Sequence, residues 1–166
     1  MTEANALKIT ADGDRSIVMT RSFDAPGHLV FDAFTKPELV KRWLKGPDGW
    51  EMPVCEIDLR VGGRFRYVWR RNTDGVDMGM GGSYREIEAP KRIVHTELFD
   101  EDWTGGEADV TTTFVDAGGK TTVTTTVLYA SGAARDAVLK SPMESGVAAS
   151  YDRLEKMLPD ITRQAA

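Results

Sequence analysis

Between Arg64 and Arg70 every second residue is a large aromatic: Phe65, Tyr67 and Trp69 alternate with Arg64, Arg66, Val68 and Arg70. Successive side chains of an extended chain point to opposite faces, so this stretch predicts a strand with one aromatic and one mostly charged face. Similar patterns predict strands over 17–23, 54–59, 76–87, 93–99, 108–115 and 121–129. Gly62 and Gly63 allow a turn or bulge, and Gly79, Gly81 and Gly82 loosen the strand that carries them. Turn chemistry separates the strands at Asn72-Thr73-Asp74-Gly75, Ala89-Pro90-Lys91 and Asp116-Ala117-Gly118-Gly119-Lys120.

Helical spacing takes over in three places. Val30, Phe31 and Phe34 follow Pro26, which suits a first helical turn. Thr35-Lys36-Pro37-Glu38 reads as a capping box opening a short helix whose buried stripe is Leu39, Val40 and Trp43. Residues 131–140 form an irregular or short helical connection. Ser141-Pro142-Met143-Glu144 then opens a long helix running to about Leu158, before Pro159. Met143, Val147, Tyr151, Leu154 and Leu158 form its apolar face, flanked by the small residues Gly146 and Ser150. That small flank suits either close packing or room for a ligand.

The order is strand, two helices, six strands, long helix. Short turns between consecutive strands imply an antiparallel sheet, and its apolar face must be covered by the one long amphipathic helix. The expected architecture is α+β: a curved antiparallel sheet wrapped around a long C-terminal helix, with two short helices after the first strand. Residues 15–159 are expected to form a single domain, between a flexible tail over 1–14 and a C-terminal tail over 160–166.

Composition narrows the function. A chain of 166 residues can bury a core without disulfides or metals. A net charge of −5 with scattered basic residues argues against nucleic-acid binding, and the arginines of 64–71 read as a solvated outer face. No apolar run reaches the roughly 20 residues of a membrane helix, and no signal-peptide pattern opens the chain, so no membrane partner and a cytoplasmic location are expected. The one cysteine, Cys55, reads as a small buried side chain rather than a nucleophile. Neither histidine sits in a metal-ligand spacing, so no cofactor or metal is expected.

Several segments together resemble the activator-of-Hsp90-ATPase-like family of the START-like, helix-grip superfamily. They are Phe23-Asp24-Ala25-Pro26, Pro37-Glu38-Leu39 with Trp43, Asp58-Leu59-Arg60 with Gly62-Gly63, and Pro90-Lys91-Arg92-Ile93-Val94. The resemblance implies an apolar cavity between sheet and helix, in a family of mixed function that includes co-chaperone modules, cyclase-like enzymes and resistance proteins. It also exposes departures. Relatives often carry an aromatic, a threonine and a tryptophan where this chain has His95, Thr96 and Glu97, and Gly-Trp where it has Gly146-Val147. The resemblance therefore implies a larger, more polar cavity than usual.

The candidate ligand-binding residues are Trp43, Trp50, Phe65, Tyr67, Trp69, Met78, Met80, Tyr84, His95, Glu97, Trp103, Phe114, Met143, Val147 and Tyr151, with the pocket opening near 43–50. His95 and Glu97 share one strand face and are the only polar pair suited to binding or deprotonating a phenol or enol. Parity alone leaves open whether that face is inward, with Ile93 and Phe99, or solvated. The expected partner is a small hydrophobic or aromatic molecule, with cyclase-like or hydrolase-like chemistry as an extension. The alternatives are a co-chaperone-like contact or a stress-response protein without ligand. A monomer or homodimer is expected.

Overall fold

The structure, a computed structural model, describes residues 5–165. Twelve elements follow in order: β1 (Lys8–Asp12), β2 (Ser16–Phe23), α1 (Gly27–Thr35), α2 (Pro37–Trp43), β3 (Trp50–Ile57), β4 (Arg64–Arg71), β5 (Asp77–Glu88), β6 (Arg92–Phe99), β7 (Ala108–Ala117), β8 (Lys120–Leu128), α3 (Gly132–Lys140) and α4 (Met143–Ala165). The eight strands make one curved antiparallel sheet in the order β1-β2-β8-β7-β6-β5-β4-β3. Every neighbouring pair in the sheet is consecutive in sequence except β2–β8, where the early and late parts of the chain meet.

Alternation decides the concave face. Ile17, Met19, Arg21 and Phe23 of β2 line it with Thr121, Val123, Thr125 and Val127 of β8. Ala108, Val110, Thr112 and Phe114 of β7 continue it, as do Phe65, Tyr67 and Trp69 of β4. The helices cover this face. Tyr151, Leu154, Met157, Leu158 and Ile161 of α4 are buried, while Met143 and Val147 in its first turns remain half-exposed. The backbone of α4 lies closest to α1 and α2, and no strand approaches it as extensively.

On the convex face the arginines find acids. Arg66 makes a bidentate pair with Asp100 (2.6 and 2.5 Å), Arg70 one with Asp77 (2.8 and 3.1 Å), and Arg71 one with Asp74 (2.9 and 2.5 Å). These exposed pairs hold the three aspartates below the usual carboxylate range and leave no basic patch here. Gly79 makes room for the first pair, because a Cβ there would strike both Arg66 and Asp100. Gly82 lets β5 approach β6 so closely that a Cβ would collide with the Thr96 carbonyl oxygen.

Several local expectations change. The tail expected over 1–14 contains β1, which pairs with β2 across a turn whose Gly13 has φ of +57°; residues 1–4 lie outside the described set. Weak patterning hid this strand, since Ile9 is partly buried and its other four residues are exposed. The expected tail over 160–166 is instead the end of α4 through Ala165, with residue 166 outside the described set. Pro159 lies inside the helix because buried Ile161 rewards its continuation.

Neither capping box forms. Thr35 closes α1 by donating to the Phe31 carbonyl (2.9 Å), leaving Lys36 as an uncapped start for α2. Ser141 likewise donates to Val138 at the end of α3 (2.6 Å).

Leu154 is fully buried beneath the sheet. Leu154→Ala is expected to cost about 2–5 kcal/mol, read as a fall in the denaturant midpoint at unchanged slope. Leu139→Ala, at a side chain 39% exposed, should change stability by no more than about 0.5 kcal/mol.

Candidate functional site

β6 places the one acid–imidazole pair of the interior. Register sets Ile93 opposite Thr112, His95 opposite Val110 and Glu97 opposite Ala108, all on the concave face. The His95 ring meets Phe65 edge-on at 5.2 Å and lies 6.1 Å from Tyr84. Thr96 points the other way and accepts the Ser83 amide (3.0 Å). The alternative left open by strand parity is thereby resolved: His95 and Glu97 face inward. Their side chains keep 17% and 27% exposure, unlike the sealed residues around them.

His95 Nε2 lies 3.2 Å from Glu97 Oε2. A carboxylate only accepts, so Nε2 carries the proton of this bond. Nδ1 is then buried with no partner among the described residues. Four tyrosines surround the pair. The hydroxyls of Tyr67 and Tyr84 influence each other, and that of Tyr151 is influenced by Thr125. Burial pushes all four phenols, Tyr129 included, well above their ordinary range, Tyr151 to about 12. The charge of Glu97 adds to that shift at Tyr67, Tyr129 and Tyr151, which come from β4, the end of β8 and α4. These phenols therefore stay neutral donors while Glu97 supplies the negative field.

The other expected residues divide. Phe65, Tyr67, Trp69, Met80 and Tyr84 form a continuous buried wall around the pair. Trp43 is core: its Nε1 donates to Ala33 (2.9 Å), and its ring lies against Phe34 and Tyr151. Phe114 sits under Phe31 and Phe34, away from His95. Trp50 lies beneath the Arg71 guanidinium at 5.6 Å. Met78 and Trp103 are 40% and 47% exposed, with Trp103 resting on Phe99. Met143 and Val147 pack on a second cluster built from Ile17, Val110, Val127 and Tyr129, and Val147 touches the main core as well.

The segment expected to open the pocket is tied to α4 instead. Gly46 N donates to Ser150 Oγ (2.9 Å), and Arg153 donates to the Gly46 carbonyl (2.6 Å) and to Asp48 (2.9 Å). The Gly146–Ser150 flank thus serves close packing, with Pro47 against Gly146.

Sequence reasoning missed two residues. Tyr129 extends the inward parity of Val123, Thr125 and Val127, a signal that was readable. Arg21 is a charge in the middle of an apolar strand, and its side chain is 1% exposed. It donates to Asp152 (2.8 Å) and Glu155 (3.2 Å) on α4.

The family described as activator of Hsp90 ATPase homolog 1-like protein matches residues 24–159. The chain belongs to this family. Its fold matches a crystal structure from Rhodobacter sphaeroides at 34% identity and TM-score 0.87, over 93% of this chain and 99% of that one. A solution structure from Staphylococcus epidermidis matches at 28% identity and TM-score 0.78, over 92% and 94%. A solution structure of a family-like protein from Aeromonas hydrophila shares the fold at 20% identity and TM-score 0.67, over 84% and 92%. No curated protein matches the chain significantly.

Two surface clefts lie apart from the concave interior of this family member. One, of about 570 Å³, is bordered by Gly27, His28, Lys91 and Asp116. Its carboxylate is already engaged, because Asp116 accepts the Gly27 and Gly119 amides (2.8 and 2.9 Å), which lower its pKa. The other, of about 260 Å³, lies between Arg42 of α2 and Arg153, Met157 and Asp160 of α4. Among the described residues no helix is long and apolar enough to cross a membrane.

Burial pushes the Cys55 thiol up to about 11, against which nearby Lys41 pulls only weakly. Its alkylation by iodoacetamide is expected to stay slow at about pH 8 and to climb only toward pH 11, whereas a free thiol climbs through about 8.5. A rate profile rising at the lower value would contradict this.

Arg21→Ala, which strips two charge-assisted bonds from α4, should cost about 2–3 kcal/mol in an unfolding titration.

Proposed function

We propose that the protein binds a small apolar or aromatic molecule between the concave face of the sheet and the first half of α4. The observation that carries this reading is the pair His95–Glu97. Two ionisable side chains stand inward, partly accessible, within a wall of Phe65, Tyr67 and Tyr84. Buried polar atoms are normally matched, and a half-matched pair in an aromatic setting suits a site completed by a ligand. Along α4 the apolar face changes character: Tyr151, Leu154, Met157, Leu158 and Ile161 are buried, while Met143 and Val147 are only partly so.

The aromatic wall would hold the body of the ligand, and the pair would hold its polar end. Val147 bridges the two apolar clusters, so its small side chain sets the depth between them. Binding is the part of the reading these groups support. A cyclase-like or hydrolase-like step would need a substrate placed against His95. The family's co-chaperone theme draws on no side-chain arrangement of this chain.

Val147→Trp should fill the space under α4. An environment-sensitive apolar fluorophore is expected to bind the wild type and to bind this variant at least about tenfold more weakly, a loss of about 1.4 kcal/mol. Equal binding by both proteins, with the variant folded by circular dichroism, would move the ligand elsewhere.

A further inference from the structure

We infer that the occupant of this site is an organic ammonium, a protonated amine carried on an apolar or aromatic body. This rests on the ligand-binding reading above and adds the charge of the ligand. Charge complementarity is the argument. Glu97 is the acid whose field reaches the interior phenols: it acts on Tyr67, Tyr129 and Tyr151, which come from three different elements. The one cation that offsets it at any of them is Arg21, at Tyr151. That guanidinium pairs with Asp152 and Glu155 through its two terminal nitrogens and is sealed to 1% exposure, its Nε buried without a partner among the described residues.

The bonding capacity points the same way. Among the described residues only one oxygen of Glu97, Oε2, is engaged in a side-chain bond, to His95 Nε2. When the ring carries a single proton, on Nε2, Nδ1 is an acceptor, and Nδ1 is buried and unmatched among the described residues. A group bringing donors and positive charge suits the second carboxylate oxygen of Glu97. A carboxylate or phosphate would bring acceptors and negative charge against Glu97. The walls are suited as well, because the faces of Phe65, Tyr67 and Tyr84 carry the negative potential that attracts ammonium groups. A neutral alcohol could donate one bond but would gain nothing from the charge.

The test uses three probes with one naphthalene body and an aminomethyl, a hydroxymethyl or a carboxylate substituent. Each is titrated calorimetrically into the full chain at about pH 7, where an alkylamine keeps its proton as lysine does. The ammonium probe is expected to bind at least about tenfold more tightly than the alcohol, with the carboxylate weakest. Glu97→Gln should bring the ammonium probe to within about threefold of the alcohol, and His95→Gln, which keeps the carboxylate, should retain the preference. Any other order among binding probes overturns the inference while leaving the ligand-binding reading intact, and the wild-type order decides even if a variant fails to fold. A preference that survives in folded Glu97→Gln overturns it too. Failure of all three probes to bind overturns this inference together with the reading beneath it.

Discussion

The anchoring of α4 by Arg21 sets the geometry on which the rest of the interior depends. A guanidinium cannot shed its charge, so its burial in the middle of β2 demands acids brought from elsewhere. Asp152 and Glu155 supply them from consecutive turns of α4, and Asn5 braces the arrangement by donating to Glu155 and Asp24. Two acids three residues apart fix the rotation of a helix as well as its distance. With that rotation set, Tyr151, Leu154 and Leu158 meet the sheet, while Ser150 and Gly146 turn toward the 46–47 loop. An apolar contact alone would hold the helix with less angular definition, because hydrophobic burial has no direction.

A graded interior follows from this anchor. Beyond Tyr151 the helix is sealed against the aromatic cluster of α1 and α2, with Phe34, Trp43 and Phe23 packed around the Tyr151 ring. Toward its start, the helix stands over a zone where the two apolar clusters join only through partly buried residues such as Val147. His95, Glu97 and the tyrosine hydroxyls are grouped in the concave interior near this zone. Polar groups cost least where their hydrogen-bonding capacity can be met, and His95 Nδ1 is buried there without a partner among the described residues.

The family frame and the individual site are separable. The segments that resemble the family lie at turns, helix starts and strand ends, and the fold matches a solved structure at TM-score 0.87 with 34% identity. The side chains proposed to choose a ligand sit on that frame. Fold therefore identifies the architecture, while chemistry must be argued from β6 and α4 of this chain.

Strand parity in the sequence was enough to place Phe65, Tyr67 and Trp69 on one face, and helical spacing was enough to give α4 its buried stripe. Both are local properties, set by two-residue and near-four-residue periods that any few turns of chain display. The weakly patterned β1 and the continuation of α4 past Pro159 were not legible, because each exists through a partner distant in sequence: β2 for the one, the core around Ile161 for the other. The caps failed for the same reason, since the preceding helices claimed Thr35 and Ser141 first. Whether His95 and Glu97 face the interior was undecidable from parity, as Val94, Thr96 and Leu98 make an equally apolar alternative. Only pairing with β5 and β7, which sets the face of every residue on β6 at once, decided it. The partners of Arg21 lie 131 and 134 residues away, a distance across which no local pattern carries information.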